Sequence, residues 1–431
     1  MRLPGRLSAA IEVLADIEAR HRPVAEALKA WGLNNRFAGA GDRAAIGNIV
    51  YDALRKRASH AYAMGSDTPR ALVLAVAVFD WGITPEELND MFSADSHAPE
   101  VLSADEARRL SAGEPLEDAP EHVRADLPEW AVPSLRQSLG PFWHEEGRAL
   151  AGRPALDLRV NTLKSERGRV LRSLERVGAQ PAEISPVGVR IAAGDRDSRT
   201  PNVQADEGYL KGWFEVQDQG SQMVALLAGA QAGEQVLDLC AGAGGKTLAM
   251  AASMGNKGQI FAYDSDRHRL APIYDRLKRN GVRNVQVRSP GAGALDDLVG
   301  RMDRVVIDAP CTGSGTWRRR PDAKWKLAAE QVALRVGEQR AILEEGARYL
   351  KPGGTLVYIT CSILHEENGG QTAAFREAHP EFEPAPAGAA LEALAPGAGE
   401  RVHLDAAGNV LLTPLKTGTD GFFLALLRKR G

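Results

Sequence analysis

The amino-acid sequence predicts an α/β protein in which a doubly wound, mainly parallel sheet follows an all-helical region and a small mixed α/β segment. Residues 1–125 show helical periodicity that no strand pattern interrupts. Residues 126–212 contain two short alternating runs with a helical stretch between them. From residue 213 to residue 431, strand-like apolar runs alternate with helical stretches, which is typical of such a sheet. We therefore expect three domains with these boundaries.

The bulk composition excludes several classes of protein. The chain has 431 residues, which is too long for one hydrophobic core, and a net charge of -3. Nucleic-acid contacts would therefore have to come from local basic patches. The three cysteines have no C-x-x-C spacing and the nine histidines are scattered, so we expect neither a disulfide framework nor a metal site. No run reaches the ~18 apolar residues of a membrane span, and we expect a soluble, cytoplasmic protein.

The N-terminal region reads as a bundle of amphipathic helices. One helical pattern covers Leu7 to Ile17, and a second runs from Ile46 to Leu54, with Asp42 as its expected N-cap. The nearly uninterrupted apolar stretch from Leu72 to Trp81 predicts a buried helix. An acidic connector then extends from about residue 95 to 126, with a short helix expected over 104–110.

The middle segment combines a strand, a helix and a second strand. Alternation predicts strands at Leu156–Val160 and 187–191, and amphipathic spacing predicts a helix over 167–177. The segment also has a basic bias, which fits either contact with a phosphate backbone or the charged outer face of a helix. The residues concerned are Arg153, Arg159, Lys164, Arg167, Arg169 and Arg172.

The C-terminal region supplies the strands of the predicted sheet. Candidate strands lie at 236–239, 260–264, 285–287, 305–308 and 356–359, separated by helices at 247–254, 267–280 and 327–350. Two late strands, 409–412 and 421–427, are expected to close one edge. The stretch 384–399, rich in alanine, proline and glycine, is expected to be a loop.

A glycine-rich turn follows the first of these strands, where ligands bind in doubly wound sheets. Asp238 ends the strand, and Asp264 ends the next one, where an acid accepts hydrogen bonds from a ribose diol. This pattern fits either a dinucleotide or S-adenosylmethionine, but the spacing departs from G-x-G-x-x-G. A phosphate-binding P-loop is disfavoured because Cys240 stands where that pattern needs glycine. The turn consists of Leu239, Cys240, Ala241, Gly242, Ala243, Gly244, Gly245 and Lys246.

Two cysteines follow two further strands of the same sheet. Cys311 comes three residues after Asp308, and Cys361 follows the strand ending at Ile359. If these strands are neighbours, both thiols lie together at the ligand end, where one can attack a substrate and the other can help to release it. Methylation of carbon 5 of cytosine needs such a pair, because a thiolate must first add to carbon 6. The basic run 318–326 contains one aromatic residue and is expected to contact phosphates and stack on a base, unless it is only a solvated loop.

At these residues the chain resembles the bacterial ribosomal RNA (cytosine-5)-methyltransferases of the RsmB type, within the NOL/NOP/Sun family. The N-terminal stretches Asp42–Ala44 and Val50–Tyr51 are similar to the NusB-like RNA-binding module of these enzymes. The C-terminal motifs cover about the last half of the chain. They are 215–218, 238–246, 308–311, 321–325, 360–362, 366–368 and 420–423.

The resemblance implies a Rossmann-like class I methyltransferase domain, a mixed α/β RNA-binding subdomain and a helical NusB-like domain. It also implies that Cys361 attacks carbon 6, that Cys311 assists release, and that Asp308 holds the cytosine ring and borders the cofactor. It implies RNA as the substrate, with 16S ribosomal RNA favoured over transfer RNA, and a monomeric protein. S-adenosylmethionine would be bound by Cys240, Ala241, Gly242, Ala243, Gly244, Gly245, Lys246, Asp264, Ser289 and Asp308.

Two positions depart from the family pattern. After the third strand the family usually has Gly-Asp, whose carboxylate contacts the adenine amine, whereas this chain has Ser289 there. Ala243 likewise replaces the usual proline of the cofactor loop. A weaker cofactor contact leaves open an alternative, a non-catalytic RNA-binding assembly factor that keeps the fold.

Overall fold

The N-terminal 125 residues form a helical bundle in the computed structural model, which describes residues 1–431. Its buried core joins Leu7 and Leu14 of the first helix to Ile46, Ile49 and Leu72 of later helices. The predicted absence of strands here is therefore confirmed. The helices are Leu3–Arg20, Val24–Asn34, Ala40–Arg55, Arg57–Met64, Pro69–Ala75 with a π-helical turn at Val76–Asp80, Pro85–Ser93, Ala104–Ser111 and Glu121–Arg124.

The expected capping role of Asp42 is wrong. The helix begins at Ala40, with Gly39 as the N-cap, so Asp42 is its third residue. From there its carboxylate accepts a hydrogen bond of 3.1 Å from the Gly39 N–H and pairs with the terminal amine of Met1. An acid in the first helical turn stabilises the helix as a cap does, because it faces the same free N–H groups.

The middle segment forms a small antiparallel sheet. Its strands are β1 (Leu156–Val160), β2 (Gln180–Pro181), β3 (Gly188–Ile191) and β4 (Phe214–Val216), in the order β2-β3-β1-β4. The helix Arg167–Ser173 follows β1, as predicted, and one face of the sheet is apolar. β4 lies in this sheet, although the sequence assigns residues from 213 onward to the large one. Three residues are too few to show an alternation, and the pairing with β1 is visible only in three dimensions.

The helices at the start of the middle segment pack against the large sheet instead. Helices Val132–Leu139 and Trp143–Leu150 contribute Leu135, Leu139 and Leu150 to the same core as the strands that follow. The predicted division into 1–125, 126–212 and 213–431 therefore stays a prediction. Buried side chains on the two sides of each boundary pack in the same core.

The C-terminal region forms the large sheet. Its strands are β5 (Gln235–Asp238), β6 (Gln259–Tyr263), β7 (Val285–Arg288), β8 (Met302–Asp308), β9 (Leu350–Thr360), β10 (Phe382–Pro384), β11 (His403–Leu404), β12 (Val410–Leu412) and β13 (Phe422–Lys429). Their order is β11-β12-β13-β9-β8-β5-β6-β7, with β10 paired to β13. β5 to β9 are parallel, and β13 runs antiparallel to β9 and closes one side, as predicted. The strand order reverses between β5 and β8, which creates the crevice where ligands bind in this fold.

Helices cover both faces of the large sheet, because alternate strand residues enter two separate cores. Leu237 and Val305 lie in one core, and their neighbours Val236 and Val306 lie in the other. None of the helices combines the length and apolar character required to cross a bilayer. The helices between residues 207 and 417, not all of which pack on the large sheet, are Glu207–Leu210, Gln219–Leu227, Gly245–Ser253, Arg267–Leu270, Ile273–Asn280, Pro321–Lys326, Ala329–Tyr349, Gly369–Ala378, Gly388–Leu394 and Pro414–Thr417.

Two predicted elements of this region are wrong. The expected helix over 267–280 is broken at Ala271–Pro272, where proline lacks the N–H that a continuous helix needs. The expected loop over 384–399 contains the helix Gly388–Leu394, whose Leu391 is fully buried. The alanine- and glycine-rich composition of this stretch is typical of a loop, so neither the helix nor its buried leucine was predicted.

Candidate active site

The two cysteines meet at the carboxyl ends of β8 and β9. These strands run parallel as neighbours, with Asp308 in register with Ile359, so the segments that follow them leave the sheet side by side. Cys311 Sγ and Cys361 Sγ are 3.4 Å apart, which is hydrogen-bond contact for sulfur. Both residues are only partly exposed. The structure thus brings together the two thiols that the sequence singled out.

Backbone and hydroxyl contacts hold the two cysteine-bearing segments together. The Gly315 N–H donates to the Cys361 carbonyl at 3.0 Å, and the Ser314 and Ser362 hydroxyls are 2.9 Å apart. Gly315 also packs against Gly421, where a Cβ would lie 2.3 Å from the Gly421 carbonyl oxygen. Only glycine fits this contact, so the spacing of the segments depends on it.

A buried acid fixes the segment that carries Cys311. Glu367 is 0% exposed and accepts hydrogen bonds from the Thr312 N–H at 2.8 Å and the Thr312 hydroxyl at 2.5 Å. Its neighbour Asn368 accepts a hydrogen bond from the Thr360 hydroxyl at 2.5 Å and donates to the Ser362 carbonyl at 2.8 Å. In the sequence these two residues are recognisable only as part of a motif. Their position a few residues beyond the second cysteine is what indicates a role near the site.

Lys246 and Asp308 form an ion pair beside the thiols. Lys246 Nζ lies 2.6 Å from Asp308 Oδ2, and the lysine is buried while the aspartate is about one-third exposed. From the sequence, Lys246 was expected only as a member of the cofactor loop. The helix that begins at Gly245 directs it across the crevice, so that its charge also acts on Cys361.

The surroundings of the two thiols are electrically unequal. Contact with Cys311 lowers the pKa of Cys361, and the Lys246 charge acts in the same direction, against the opposing effects of burial and of the Asp308 and Glu367 charges. Contact with Cys361 raises the pKa of Cys311 well above its usual range, and burial and the Glu367 charge act in the same direction. Of the two thiols, Cys361 is therefore the one that loses its proton more readily.

The cofactor loop is ordered by a buried acid from the next strand. Asp264 Oδ2 accepts a hydrogen bond from the Gly242 N–H at 2.9 Å, and Oδ1 accepts one from the Asp266 N–H at 2.9 Å. Gly244 has a φ of 81°, and a Cβ there would lie 2.6 Å from the Ile273 side chain. The turn therefore needs glycine and leaves its backbone open to the crevice.

Asp238 offers a buried acceptor at the same place. The Thr247 hydroxyl donates to Oδ2 at 2.6 Å, whereas Oδ1 is buried and has no partner. Burial raises the pKa of Asp238 to about 7. An acceptor without a partner, beside an open glycine turn, fits a ligand that brings a hydrogen-bond donor into the crevice.

The remaining predicted cofactor residues differ in their surroundings. Burial raises the pKa of the Cys240 thiol, which favours packing over reactivity. The Ala243 carbonyl accepts a hydrogen bond of 2.7 Å from Arg276. Ser289 lies just beyond the end of β7 and is exposed, so it is near the crevice without protein partners for its side chain.

The predicted phosphate contacts of the basic run 318–326 are wrong for its first two arginines. Arg318 and Arg319 each pair with both Asp218 and Asp420, at 2.5 to 3.3 Å. Two cations and two anions therefore compensate each other inside the protein. The two aspartates lie about 100 residues away in the sequence, so no local pattern predicts these ion pairs.

The second half of the run connects the helical bundle to the large domain. Lys324 is 0% exposed and donates to the Arg55 carbonyl at 2.8 Å and the Asp126 carbonyl at 2.7 Å. Trp325 Nε1 donates to the Leu54 carbonyl at 2.6 Å. The alternative of a solvated loop is wrong as well, because these side chains fill the contact between two parts of the chain.

The basic residues of the middle segment divide into two groups. Arg153 pairs with Asp52, and the buried Arg159 donates to Gln217 at 2.6 Å. Arg169 remains exposed, with its guanidinium 3.8 Å from the centre of the Trp213 ring. Of these three arginines, only the exposed Arg169 is available to contact a nucleic acid. No cluster of three or more His, Cys, Asp or Glu side chains is arranged to hold a metal ion.

Two family models match this chain. The model described as 16S rRNA methyltransferase RsmB/F matches residues 224–428. The model described as the ferredoxin-like domain of Methyltr_RsmF/B-like proteins matches residues 127–195. The first covers the large sheet and both cysteines, and the second covers three strands of the small sheet.

Individual proteins show the same similarity. The chain is 36% identical over 321 residues to "Ribosomal RNA small subunit methyltransferase B" of Klebsiella pneumoniae, covering 73% of this chain and 69% of the relative. It is 32% identical over 311 residues to the "Probable ribosomal RNA small subunit methyltransferase B" of Synechocystis sp., covering 70% and 67%. A crystal structure of PH0851 superposes with a TM-score of 0.72 at 27% identity, covering 100% of this chain and 99% of that one.

Proposed function

Because the chain belongs to the RsmB/F family of 16S rRNA methyltransferases, we propose that it transfers a methyl group from S-adenosylmethionine to carbon 5 of a cytosine in small-subunit ribosomal RNA. The observation that carries the proposal is the 3.4 Å contact between Cys311 and Cys361 at the ligand end of β8 and β9. Methyl transfer to most RNA atoms needs no thiol, whereas carbon 5 of a pyrimidine needs a nucleophile at carbon 6.

The crevice fits S-adenosylmethionine, which supplies an electrophilic methyl group on a sulfonium sulfur when bound. Asp238 Oδ1 is the buried acceptor without a partner, suited to the ammonium group of the methionine portion. Asp264 lies at the end of β6, where a carboxylate accepts hydrogen bonds from a ribose diol. The glycine turn brings backbone close to the ligand. The proposed contacts are Cys240, Ala241, Gly242, Ala243, Gly244, Gly245, Lys246, Asp264, Ser289 and Asp308.

Cys361 starts the chemistry. Its thiolate adds to carbon 6 of the cytosine, the carbon 5–carbon 6 double bond opens, and carbon 5 becomes nucleophilic enough to accept the methyl group. Asp308 stands three residues from Cys311 and faces the same crevice, where it hydrogen-bonds the ring near nitrogen 3. Lys246, 2.6 Å from Asp308, holds that carboxylate in place and favours the thiolate form of Cys361.

Cys311 completes the reaction. After the methyl group is on carbon 5, the proton on that carbon leaves to a base, and the electron pair restores the ring double bond while the carbon 6–sulfur bond breaks. The Cys311 thiol contacts the sulfur that departs, so it stabilises the thiolate as it forms. Without this contact, release of the methylated base becomes the slow step.

The small sheet supplies a surface for the rest of the RNA. Arg169 and Lys211 are exposed, and their charges lie 3.8 and 5.5 Å from the centre of the Trp213 ring. Cations around an aromatic ring suit single-stranded RNA, because they meet phosphates while the ring meets bases. We assign RNA binding to this surface rather than to the buried basic run.

The proposal is tested by methyl transfer from labelled S-adenosylmethionine to small-subunit ribosomal RNA and, separately, to transfer RNA. We expect label in the ribosomal RNA, at a cytosine that bisulfite sequencing then identifies, and no label with Cys361→Ala. Label in transfer RNA alone would correct the substrate. The second candidate function is a non-catalytic assembly factor, which Ser289 favours because the family usually has an aspartate at that position. Calorimetry that shows no binding of S-adenosylmethionine at millimolar concentration would support this second function.

A further inference from the structure

Glu367 is a buried carboxylate whose partners are all neutral. It is 0% exposed, and it accepts hydrogen bonds from the Thr312 N–H, the Thr312 hydroxyl and the Gln339 amide nitrogen, the last at 3.0 Å. The Gln339 amide also donates to the Pro310 carbonyl at 3.0 Å, which fixes the orientation of its NH2 group toward Glu367. Burial of a carboxylate without a neighbouring cation costs free energy, so packing alone does not account for an acid at this position.

The charged groups around the two thiols contact different segments. Glu367 hydrogen-bonds Thr312, the residue next to Cys311, and its charge raises the pKa of both thiols. Lys246 and Asp308 form an ion pair whose members act on Cys361 in opposite directions, because the aspartate raises its pKa and the lysine lowers it. The remaining titratable neighbours are Tyr358, whose buried hydroxyl donates to the Glu367 carbonyl at 2.7 Å, and the buried Cys240. Burial raises the pKa of Tyr358 well above its usual range, so it stays neutral.

We propose that Glu367 is a positioning residue that keeps the negative charge of the thiol pair on Cys361 and keeps Cys311 in its protonated form. The inference rests on the proposed function and deepens it, because it explains why two similar thiols take different roles. A thiolate on Cys311 would lie beside Thr312, to which the Glu367 carboxylate is hydrogen-bonded, whereas no hydrogen bond joins that carboxylate to the segment of Cys361. Contact between the two thiols is the largest cause of both pKa shifts, and the Glu367 charge adds to the rise at Cys311.

Removal of the charge has a consequence with a definite sign. Glu367→Gln preserves the size of the side chain and an oxygen for the Thr312 N–H, but it removes the negative charge. The pair then loses its first proton at a lower pH, because one repulsive charge is gone. At the same time the thiolate moves toward Cys311, so the share of reactive Cys361 falls. A role in packing alone would produce neither effect.

The test is alkylation by iodoacetamide over a series of pH values, with the modified cysteine located by peptide mass spectrometry. A carbon–sulfur bond forms, iodide leaves, and only the thiolate reacts at an appreciable rate. For the wild-type chain we expect Cys361 to react roughly ten times faster than Cys311, which corresponds to about one pKa unit. In Glu367→Gln we expect this ratio to fall by about tenfold and the midpoint of total modification to move to lower pH.

Gln339→Leu is the matched control. It removes one hydrogen bond to Glu367 and one to Pro310 but leaves the charge, so the Cys361 preference is expected to persist. The proposal is overturned if Glu367→Gln keeps the wild-type ratio, or if Gln339→Leu changes the ratio as much. If Glu367→Gln does not fold, the proposal is judged on the alkylation rates of the wild-type chain alone. A faster reaction at Cys311 than at Cys361 then contradicts it.

This measurement needs neither RNA nor S-adenosylmethionine. A clear Cys361 preference that depends on Glu367 would stand even if no methylcytosine were found, and the proposed function would then fail alone. Conversely, methyl transfer to carbon 5 without any dependence of the thiol ratio on Glu367 would leave the function intact and remove this inference.

Discussion

Cys311 Sγ lies 3.4 Å from Cys361 Sγ, although 50 residues separate them in the sequence. The contact exists because β8 and β9 are parallel neighbours, so that the segments after them leave the same edge of the sheet. Hydroxyls, a glycine contact and the buried Glu367–Asn368 pair then hold the two segments in place. The two thiols therefore lie together, as the proposed roles of an attacking thiol and an assisting thiol require.

Loss of the Lys246 charge is expected to weaken the nucleophile. Lys246→Met keeps much of the side-chain length, but the pKa of Cys361 should rise because the positive charge that lowers it is gone. We expect the midpoint of Cys361 alkylation to move to higher pH, and methyl transfer at neutral pH to fall by about tenfold. Lys351→Met, on the exposed pair with Asp303, is the control and should change neither. An unchanged midpoint would show that Lys246 does not act on the thiol.

Restoration of an acid at position 289 is expected to strengthen cofactor binding. Ser289 is exposed just beyond the end of β7, where the resembled family usually has an aspartate. Ser289→Asp adds a charged acceptor for an amine donor, so we expect the Kd for S-adenosylmethionine to fall roughly five- to tenfold in calorimetry. Ser96→Asp, on the helical bundle, controls for the added charge. Equal affinity in the two variants would mean that the adenine is not held at position 289.

Glycine at position 315 is expected to be essential for the contact between the segments. Gly315→Ala would place a Cβ 2.3 Å from the Gly421 carbonyl oxygen, so we expect a loss of about 1–3 kcal/mol in the free energy of unfolding. Gly337→Ala is the matched control, because a Cβ there meets nothing within 4 Å on an exposed helix. That change should stabilise the protein by about 0.5–1 kcal/mol. Denaturant unfolding measures both, and equal effects would refute the steric argument.

The buried Asp238 is expected to make stability depend on pH. Burial raises the pKa of Asp238 to about 7, whereas the unfolded chain has the ordinary value near 4. The folded state therefore binds more protons in this interval, and its stability falls as the pH rises from about 4 to 7.

Asp238→Asn removes this titration. Between pH 5 and 8 we expect the wild-type chain to lose on the order of 2 kcal/mol more stability than the variant, measured as unfolding free energy in urea. Parallel pH curves for the two proteins would contradict the assignment.

Much of the fold follows from local patterns in the sequence. Leu156–Val160 is a strand with the predicted bounds, and all five parallel strands of the large sheet occur where the apolar runs predict them. These elements are specified by alternation and by the turns that bound them. The juxtaposition of the two cysteines was also predictable, since it needs only neighbouring parallel strands.

Other features depend on partners far away in the chain. The basic run 318–326 has the composition of a nucleic-acid contact, yet Arg318 meets Asp420 and Lys324 meets backbone carbonyls of the helical bundle. Glu367 gives no local sign that it is buried beside Thr312. The helix Gly388–Leu394 depends on one buried leucine. Such placements are set by tertiary packing, which overrides the local signal.

The division of labour between the thiols is tested most directly by Cys311→Ala with small-subunit ribosomal RNA and S-adenosylmethionine. We predict a protein–RNA adduct that survives a denaturing gel, because Cys361 still attacks while release is slow. The double variant with Cys361→Ala should form none. Absence of an adduct on RNA that the wild-type protein methylates, or an adduct that persists in the double variant, would contradict the account.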